Sequence, residues 1–332
     1  MDKDIIKHIG NCLDILPTLP EKSVDCCVTS PPYWGLRDYG VEGQLGLEET
    51  PDKFVDNLVK VFREVRRVLK DNGTLWLNLG DTYSNHRDSK STSQTLAKGG
   101  SSEKAHVIEK GKNHSRNSKM LKSVGLKHKD LVGIPWRVAL ALQQDGWYLR
   151  SDIIWSKPNP MPESVTDRPT KAHEYIFLLS KSEKYYYDNE AIKEPIAEST
   201  IGRGPVDFGG AKGRGYKPEE GDPNFRNGSE QWGRTFNYKS SCKNGRNKRT
   251  VWTVPTKPYK EAHFATFPPK LIEPCILAGC PEGGTVLDPF GGSGTTAMVA
   301  IQHRRKAILI ELNPEYEKLQ DKRTTEIQIE AF

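Results

Sequence analysis

No apolar run in these 332 residues approaches the ~20 needed for a helix to cross a bilayer, and the amino-terminal stretch MDKDIIKHIGNCLDIL has no signal-peptide core. A soluble cytoplasmic protein without membrane partners is therefore expected. The six cysteines include no CxxC pair, which argues against a structural zinc site and predicts a reducing compartment. Two of them, Cys26 and Cys27, stand in an apolar run where buried free thiols are common. No internal repeat of fixed period is present. Apolar residues make up only 35% of the chain, low for a compact enzyme, so part of it is expected to be polar and loosely packed. Acidic residues are outnumbered, 43 against 49 basic, and the formal net charge of +6 becomes informative only where it is concentrated.

It is concentrated in two places, a basic loop over 85–129 and the stretch KSSCKNGRNKR from Lys239 to Arg249. Both suggest a polyanionic partner, with Lys239, Lys243, Arg246, Lys248, Arg249 and, nearer the amino terminus, Arg37 as candidate phosphate contacts. Elsewhere, short apolar runs alternate with amphipathic ones, the pattern of an α/β protein with a mainly parallel sheet. Strands are predicted at Val24–Thr29, Thr74–Leu79, Trp147–Trp155, Glu174–Leu179, Thr285–Leu287 and Lys306–Glu311. The third and fourth of these read as an antiparallel extension of the sheet. Helices are predicted at Pro51–Lys70, ended by Asp71-Asn72-Gly73, and at Ile134–Gln144, Pro268–Ala278 and Gly294–Gln302, with a helical tail. From Lys181 to about Arg249 periodicity gives way to glycine, proline and charge. The expected organisation is a first half over 1–180, a loop-rich insert over 181–250, and a second half over 251–332.

Two motifs carry chemistry. VLDPFGGSGTT is a strand entering a glycine-rich turn and then a helix, which lets a ligand approach backbone at a sheet's carboxyl edge. It lacks the GKS or GKT ending of a triphosphate loop. Glu311 ends the next strand, within about 20 residues of the glycines, where a carboxylate accepts ribose hydroxyls, so a nucleoside ligand fits. Asn313-Pro314 behind it also reads as a helix start. Asp288, directly before the turn, is placed to face a cationic amine or sulfonium group.

The second motif, TSPPYW, empties an apolar strand into a rigid turn. Proline fixes φ, so carbonyl directions are set in advance, and a hydroxyl and an aromatic face lie close by. An exocyclic amine on a nucleobase is a poor nucleophile because its lone pair is delocalised into the ring. Acceptors aimed at its N–H groups favour the pyramidal nitrogen and return the lone pair for attack. Ser30, Pro31 and Pro32 would supply those acceptors and their rigidity. Tyr33 would stack on a base taken out of the duplex.

With SPPY (Ser30 to Tyr33) followed by FGGSG (Phe290 to Gly294), the chain resembles the β class of S-adenosylmethionine-dependent DNA methyltransferases that modify exocyclic amines. Those enzymes carry a [DNS]-PP-[YF] motif before an FxGxG motif. The resemblance implies a class I, Rossmann-like methyltransferase sheet with circularly permuted motif order, a target-recognition insert, double-stranded DNA as substrate and S-adenosyl-L-methionine as cofactor. It implies a cofactor set of Asn11, Asp288, Pro289, Phe290, Gly291, Gly292, Gly294, Thr295, Thr296, Glu311, Asn313, His263 and Thr266. Within that set Glu311 holds the ribose, and His263 to Pro268 lie beside the methionine carboxylate. The family's GDCL stands here as GNCL, so Asn11 keeps an acceptor without its charge. TSPP resembles the cytosine-N4 members more than the adenine-N6 members, and adenine remains the alternative. A homodimer, a cognate restriction endonuclease and a nucleoid-associated location accompany the resemblance; no metal is needed. Three further readings stay open: a nicotinamide-dependent oxidoreductase, a DNA-binding protein without catalysis, and methylation of protein glutamine or RNA by the same fold.

Overall fold

The computed structural model describes residues 4–84, 124–196, 206–207, 235–236, 245–256 and 267–330. Strand β1 (Ile5–Ile9) leads into a one-turn helix α1 (Cys12–Ile15), whose first turn is capped by the Asn11 side chain accepting from the Leu13 amide at 2.9 Å. In β2 (Val24–Thr29) all six residues are buried, as a central parallel strand covered on both faces requires. Helix α2 (Pro51–Val68) starts at Thr50, whose hydroxyl accepts from the Lys53 amide, with Pro51 in the first turn where its missing N–H costs nothing. Its Phe54, Leu58, Val61, Phe62 and Val65 recur at helical spacing and are fully buried, each worth about 1.5–3 kcal/mol of burial.

Then follow β3 (Leu69–Leu79), α3 (Ile134–Gln144), β4 (Tyr148–Ser156), β5 (His173–Ser180), β6 (Val206–Asp207), β7 (Thr235–Phe236) and β8 (Val251–Thr253). The chain continues through α4 (Pro269–Gly279), β9 (Thr285–Asp288), α5 (Thr295–Gln302), β10 (Lys306–Glu311) and α6 (Glu315–Glu330).

Eight strands form one sheet in the order β1-β10-β9-β2-β3-β5-β4-β8. The run from β1 to β3 is parallel throughout, β5 is antiparallel to both β3 and β4, and β8 is parallel to β4. The expected antiparallel extension is therefore present. The sheet also departs from expectation at β3. Asp71-Asn72-Gly73 does not end the helix; α2 stops at Val68, and Leu69 is already extended (ψ 140°) with its side chain buried beside Val24. The ladder then steps from Val24 opposite Leu69 to Cys26 opposite Thr74, an irregularity that absorbs the polar residues between. Gly73 is required there, since a Cβ would lie 3.0 Å from the Lys70 carbonyl oxygen and 3.1 Å from that of Asp25.

The chain divides into two compact units, Met1–Asp188 with Thr250–Phe332, and Asn189–Arg249. Residues 181–188 remain tied to the sheet of the first unit: the Lys181 ammonium donates to the Leu69 carbonyl at 2.7 Å and the Tyr186 amide to that of Asn72 at 2.9 Å. In the second unit β6 and β7 pair antiparallel, and Glu194 bridges Arg246. Among the described residues no helix is long and apolar enough to cross a membrane.

Candidate active site

Parallel pairing of β2 with β9, through Cys26 opposite Val286 and Cys27 opposite Leu287, brings the carboxyl ends of the two strands side by side. TSPPYW leaves one end and the glycine turn leaves the other. This is the crevice where open α/β sheets bind ligands. The two motifs are joined directly: the Thr29 hydroxyl donates to Asp288 Oδ1 at 2.6 Å across 259 residues of sequence. Asp288 also accepts from the Thr296 hydroxyl (2.6 Å) and the Phe290 amide (3.0 Å). The residue is 2% exposed, and burial raises its pKa against the opposing effect of these hydrogen bonds. Asp288 thus braces the turn and the catalytic strand together, a task that its position in the sequence did not reveal.

In the turn itself Gly292 (φ 47°) and Gly294 (φ 81°) take left-handed conformations. A Cβ at Gly292 would meet only the Phe290 carbonyl oxygen, at 3.9 Å, so the outer edge of the turn is open to a ligand. Beneath it the Glu311 carboxylate accepts from the Gly292 amide (2.7 Å) and the Asn313 amide (2.9 Å). A carboxylate has about four acceptor sites, so two backbone bonds hold Glu311 in place and leave capacity for a ribose diol. Burial raises the pKa of Glu311, these amides oppose the rise, and the Asp288 charge adds to it. Tyr316, near Tyr39 and Glu311, has its phenol pushed up to about 12, first by burial and then by those neighbours. The residues present therefore fit a nucleoside-bearing cofactor.

Helix α6 closes the turn from behind. The Gln320 amide donates to the Gly292 carbonyl at 2.9 Å, and Arg323 donates to Ser293 Oγ at 3.0 Å and to the Thr295 hydroxyl. A Cβ on Gly294 would press on the Gln320 side chain at 3.2 Å, so glycine is needed here for packing as well as for its backbone angle.

At the other motif Ser30 Oγ donates to the Tyr33 hydroxyl at 3.5 Å, and that hydroxyl donates to Glu174 Oε2 at 2.6 Å. Asn78, also within reach of the hydroxyl at 3.2 Å, donates its amide to Glu174 Oε2 (3.3 Å) and the Tyr175 carbonyl (3.0 Å). Burial lifts the Tyr33 phenol well above its ordinary pKa, and the Glu174 charge adds to the effect. Trp34 is 1% exposed and donates its indole N–H to the Glu48 carbonyl at 2.9 Å, so it packs the turn.

A family model described as DNA methylase matches residues 24–322, most of the chain. The chain belongs to this DNA methylase family. It is 46% identical over 329 residues to the Type II methyltransferase M.Cfr9I of Citrobacter freundii, covering 97% of this chain and 90% of that protein. It is 44% identical over 315 residues to the Type II methyltransferase M.SmaI of Serratia marcescens, covering 95% and 89%. Among solved structures, the PvuII DNA methyltransferase (cytosine-N4-specific) shares the fold with a TM-score of 0.60 at 19% identity, over 97% of this chain and 86% of that one. The methylase is a site-specific DNA amino-methyltransferase that uses S-adenosylmethionine on a class I methyltransferase fold.

The structure of the methylase gives several residues tasks that their sequence positions did not suggest. The Asn11 oxygen caps α1. The hydroxyls of Thr295 and Thr296 are turned to Arg323 and Asp288. Asn313 receives the Glu315 amide at 3.0 Å, the helix start that Asn313-Pro314 foretold. Pro289 and Phe290 open the turn, and Phe290 packs against the core beside Leu287 and Ile310. Arg37 lies beside the Tyr39 phenol, and its carbonyl accepts from Gln44 at 3.2 Å. Arg246, Lys248 and Arg249 all converge on Glu194, at 3.3, 3.9 and 3.1 Å. Burial alone would raise the Glu194 carboxyl, but Arg249 and Lys248 together bring it below its ordinary range. Lys239, Lys243, His263, Thr266 and positions 85–123 of the basic loop lie outside the described residues.

Sequence reasoning missed Asn78, Gly80, Lys157, Glu174, Gln320 and Arg323. Only Gly80, directly after a predicted strand, carried a local signal.

Proposed function

We propose that the methylase transfers its methyl group to the N4 amine of a cytosine flipped out of duplex DNA. The observation that carries this reading is the serine-headed SPPY at the carboxyl end of β2, one residue beyond the Thr29 hydroxyl that reaches Asp288. Ser30 and the Pro31 carbonyl accept from the target amine, Pro31 and Pro32 hold those acceptors still, and Tyr33 offers its ring to the base. Glu311 and the amides of Gly291, Gly292 and Gly294 take the nucleoside side of the cofactor, while Asp288, Thr295 and Thr296 keep the turn in shape. Bound S-adenosylmethionine supplies an electrophilic methyl group on a sulfonium, so the protein has only to position and polarise.

The second unit serves as the target-recognition module, and Arg37, Lys239, Lys243, Arg246, Lys248 and Arg249 contact DNA. Three cations around Glu194 leave a net positive surface there. The kinship with Type II methyltransferases favours a cytoplasmic, nucleoid-associated enzyme protecting sites from a cognate endonuclease. Exposed Leu131, Trp136 and Leu140 favour a homodimer, which sedimentation of the pure enzyme would test.

The deciding experiment is to methylate DNA of known sequence, digest it to nucleosides and identify the product by mass spectrometry. N4-methylcytidine supports the reading; N6-methyladenosine alone replaces the base and keeps the mechanism.

A further inference from the structure

The acid behind Tyr33 belongs to neither sequence motif. Glu174 opens β5, and its Oε1 pairs with the ammonium of Lys157 just beyond the end of β4, where the Lys157 amide donates to the Ala172 carbonyl at 2.8 Å. That ammonium also lies 4.2 Å from the centre of the Trp155 ring, and the Trp155 indole is anchored to the Val254 carbonyl at 2.8 Å. The carboxylate thus rests on three neighbouring strands, β3 through Asn78, β5 through its own backbone and β4 through Lys157. Its remaining oxygen takes the Tyr33 proton at 2.6 Å, a charge-assisted bond of the stronger kind.

A second contact fixes the same ring. A Cβ on Gly80 would stand 2.3 Å from Tyr33 Cε2 and 2.7 Å from Cδ2, so the ring lies directly on the Gly80 backbone. Tyr33 is thereby held along its edge and at its tip. Packing alone needs no largely buried ion pair at this place, where an apolar pair of similar volume would serve stability as well.

We infer that Glu174 is a positioning residue for methyl transfer, acting through the Tyr33 hydroxyl to set the plane on which the target base stacks. This rests on the proposed role of Tyr33 as the stacking ring. Lys157 keeps Glu174 ionised and aimed, and Asn78 fixes the carboxylate from the side.

The test is a double-mutant cycle of Glu174→Ala and Tyr33→Phe, read as single-turnover methyl transfer to duplex DNA, with S-adenosylmethionine affinity measured beside it. Glu174→Ala is expected to slow transfer by roughly tenfold to a hundredfold, the range of a lost charge-assisted hydrogen bond, with cofactor affinity unchanged. In the Tyr33→Phe background the same substitution should cost little more, and Glu174→Gln, which keeps an acceptor, should restore most of the rate. Equal losses from Glu174→Ala in both backgrounds, or no loss in either, overturn the inference. If Glu174→Ala fails to fold, the paired Lys157→Met and Glu174→Leu enzyme leaves no buried unpaired charge and carries the same cycle. Tyr33→Ala separates the two readings: full activity there removes the stacking role and the inference with it, whereas inactivity beside an active Glu174→Ala removes the inference alone.

Discussion

Asp288 and Glu311 are both buried acids with raised pKa values, yet they do different work. Asp288 is saturated by Thr29, Thr296 and the Phe290 amide. Replacing Thr29 by Val keeps the volume and removes the donor, so the folded state should lose about 1–3 kcal/mol, measured by urea unfolding. Glu311 must be ionised to accept ribose hydroxyls, and burial favours its protonated form. A folded-state pKa above the ordinary glutamate value means that the native state binds this proton more tightly than the unfolded chain. Stability from this group is accordingly greatest at low pH and falls as pH rises through that raised value. Cofactor affinity runs the other way, decreasing on acidification from a pH above the ordinary carboxylate range. Calorimetric titration of S-adenosylmethionine across pH should show this, and Glu311→Gln should lower the affinity and flatten the profile. At Gly80 the expected effect is steric: alanine would displace the Tyr33 ring and reduce transfer by roughly a hundredfold, as misplacements of about 1 Å do, with cofactor binding intact.

Among the elements, α6 is the one whose sequence said least about its use. Its first turns carry Gln320 to the Gly292 carbonyl and Arg323 to Ser293, so the helix is a clamp on the turn rather than a loose end. Gln320→Ala should weaken S-adenosylmethionine binding by roughly fivefold, the worth of one net hydrogen bond of about 1 kcal/mol, while DNA affinity stays constant. Helices α2 and α3 were legible because their apolar residues recur at one spacing and their starts carry proline. Strand β1, with Ile6 and Ile9 exposed, and the three-residue β8 were not anticipated, because edge strands lack a continuous apolar run. The entry to β3 was misread for a related reason: Asp71-Asn72-Gly73 has turn composition, and only the pairing of Leu69 with Val24 makes it part of a strand.

Across the whole molecule, positive charge should act on DNA through phosphate neutralisation. Replacing Arg246, Lys248 and Arg249 by Gln should weaken DNA binding and shrink the slope of log affinity against log salt by about 0.9 for each phosphate no longer neutralised, leaving cofactor affinity unchanged. A salt slope equal to that of the parent enzyme would remove these three from the DNA interface. The sequence by itself determined the local pieces: the buried strand Val24–Thr29, the proline-fixed turn that follows it, the glycine turn and the acid at the end of Lys306–Glu311. Each is set by backbone sterics and apolar patterning within a few residues. Only the tertiary structure decided that β2 lies against β9, that Asp288 reaches Thr29 and that Glu174 meets Tyr33. Those partners are 259 and 141 residues apart, and strand order, which no local pattern encodes, chooses them.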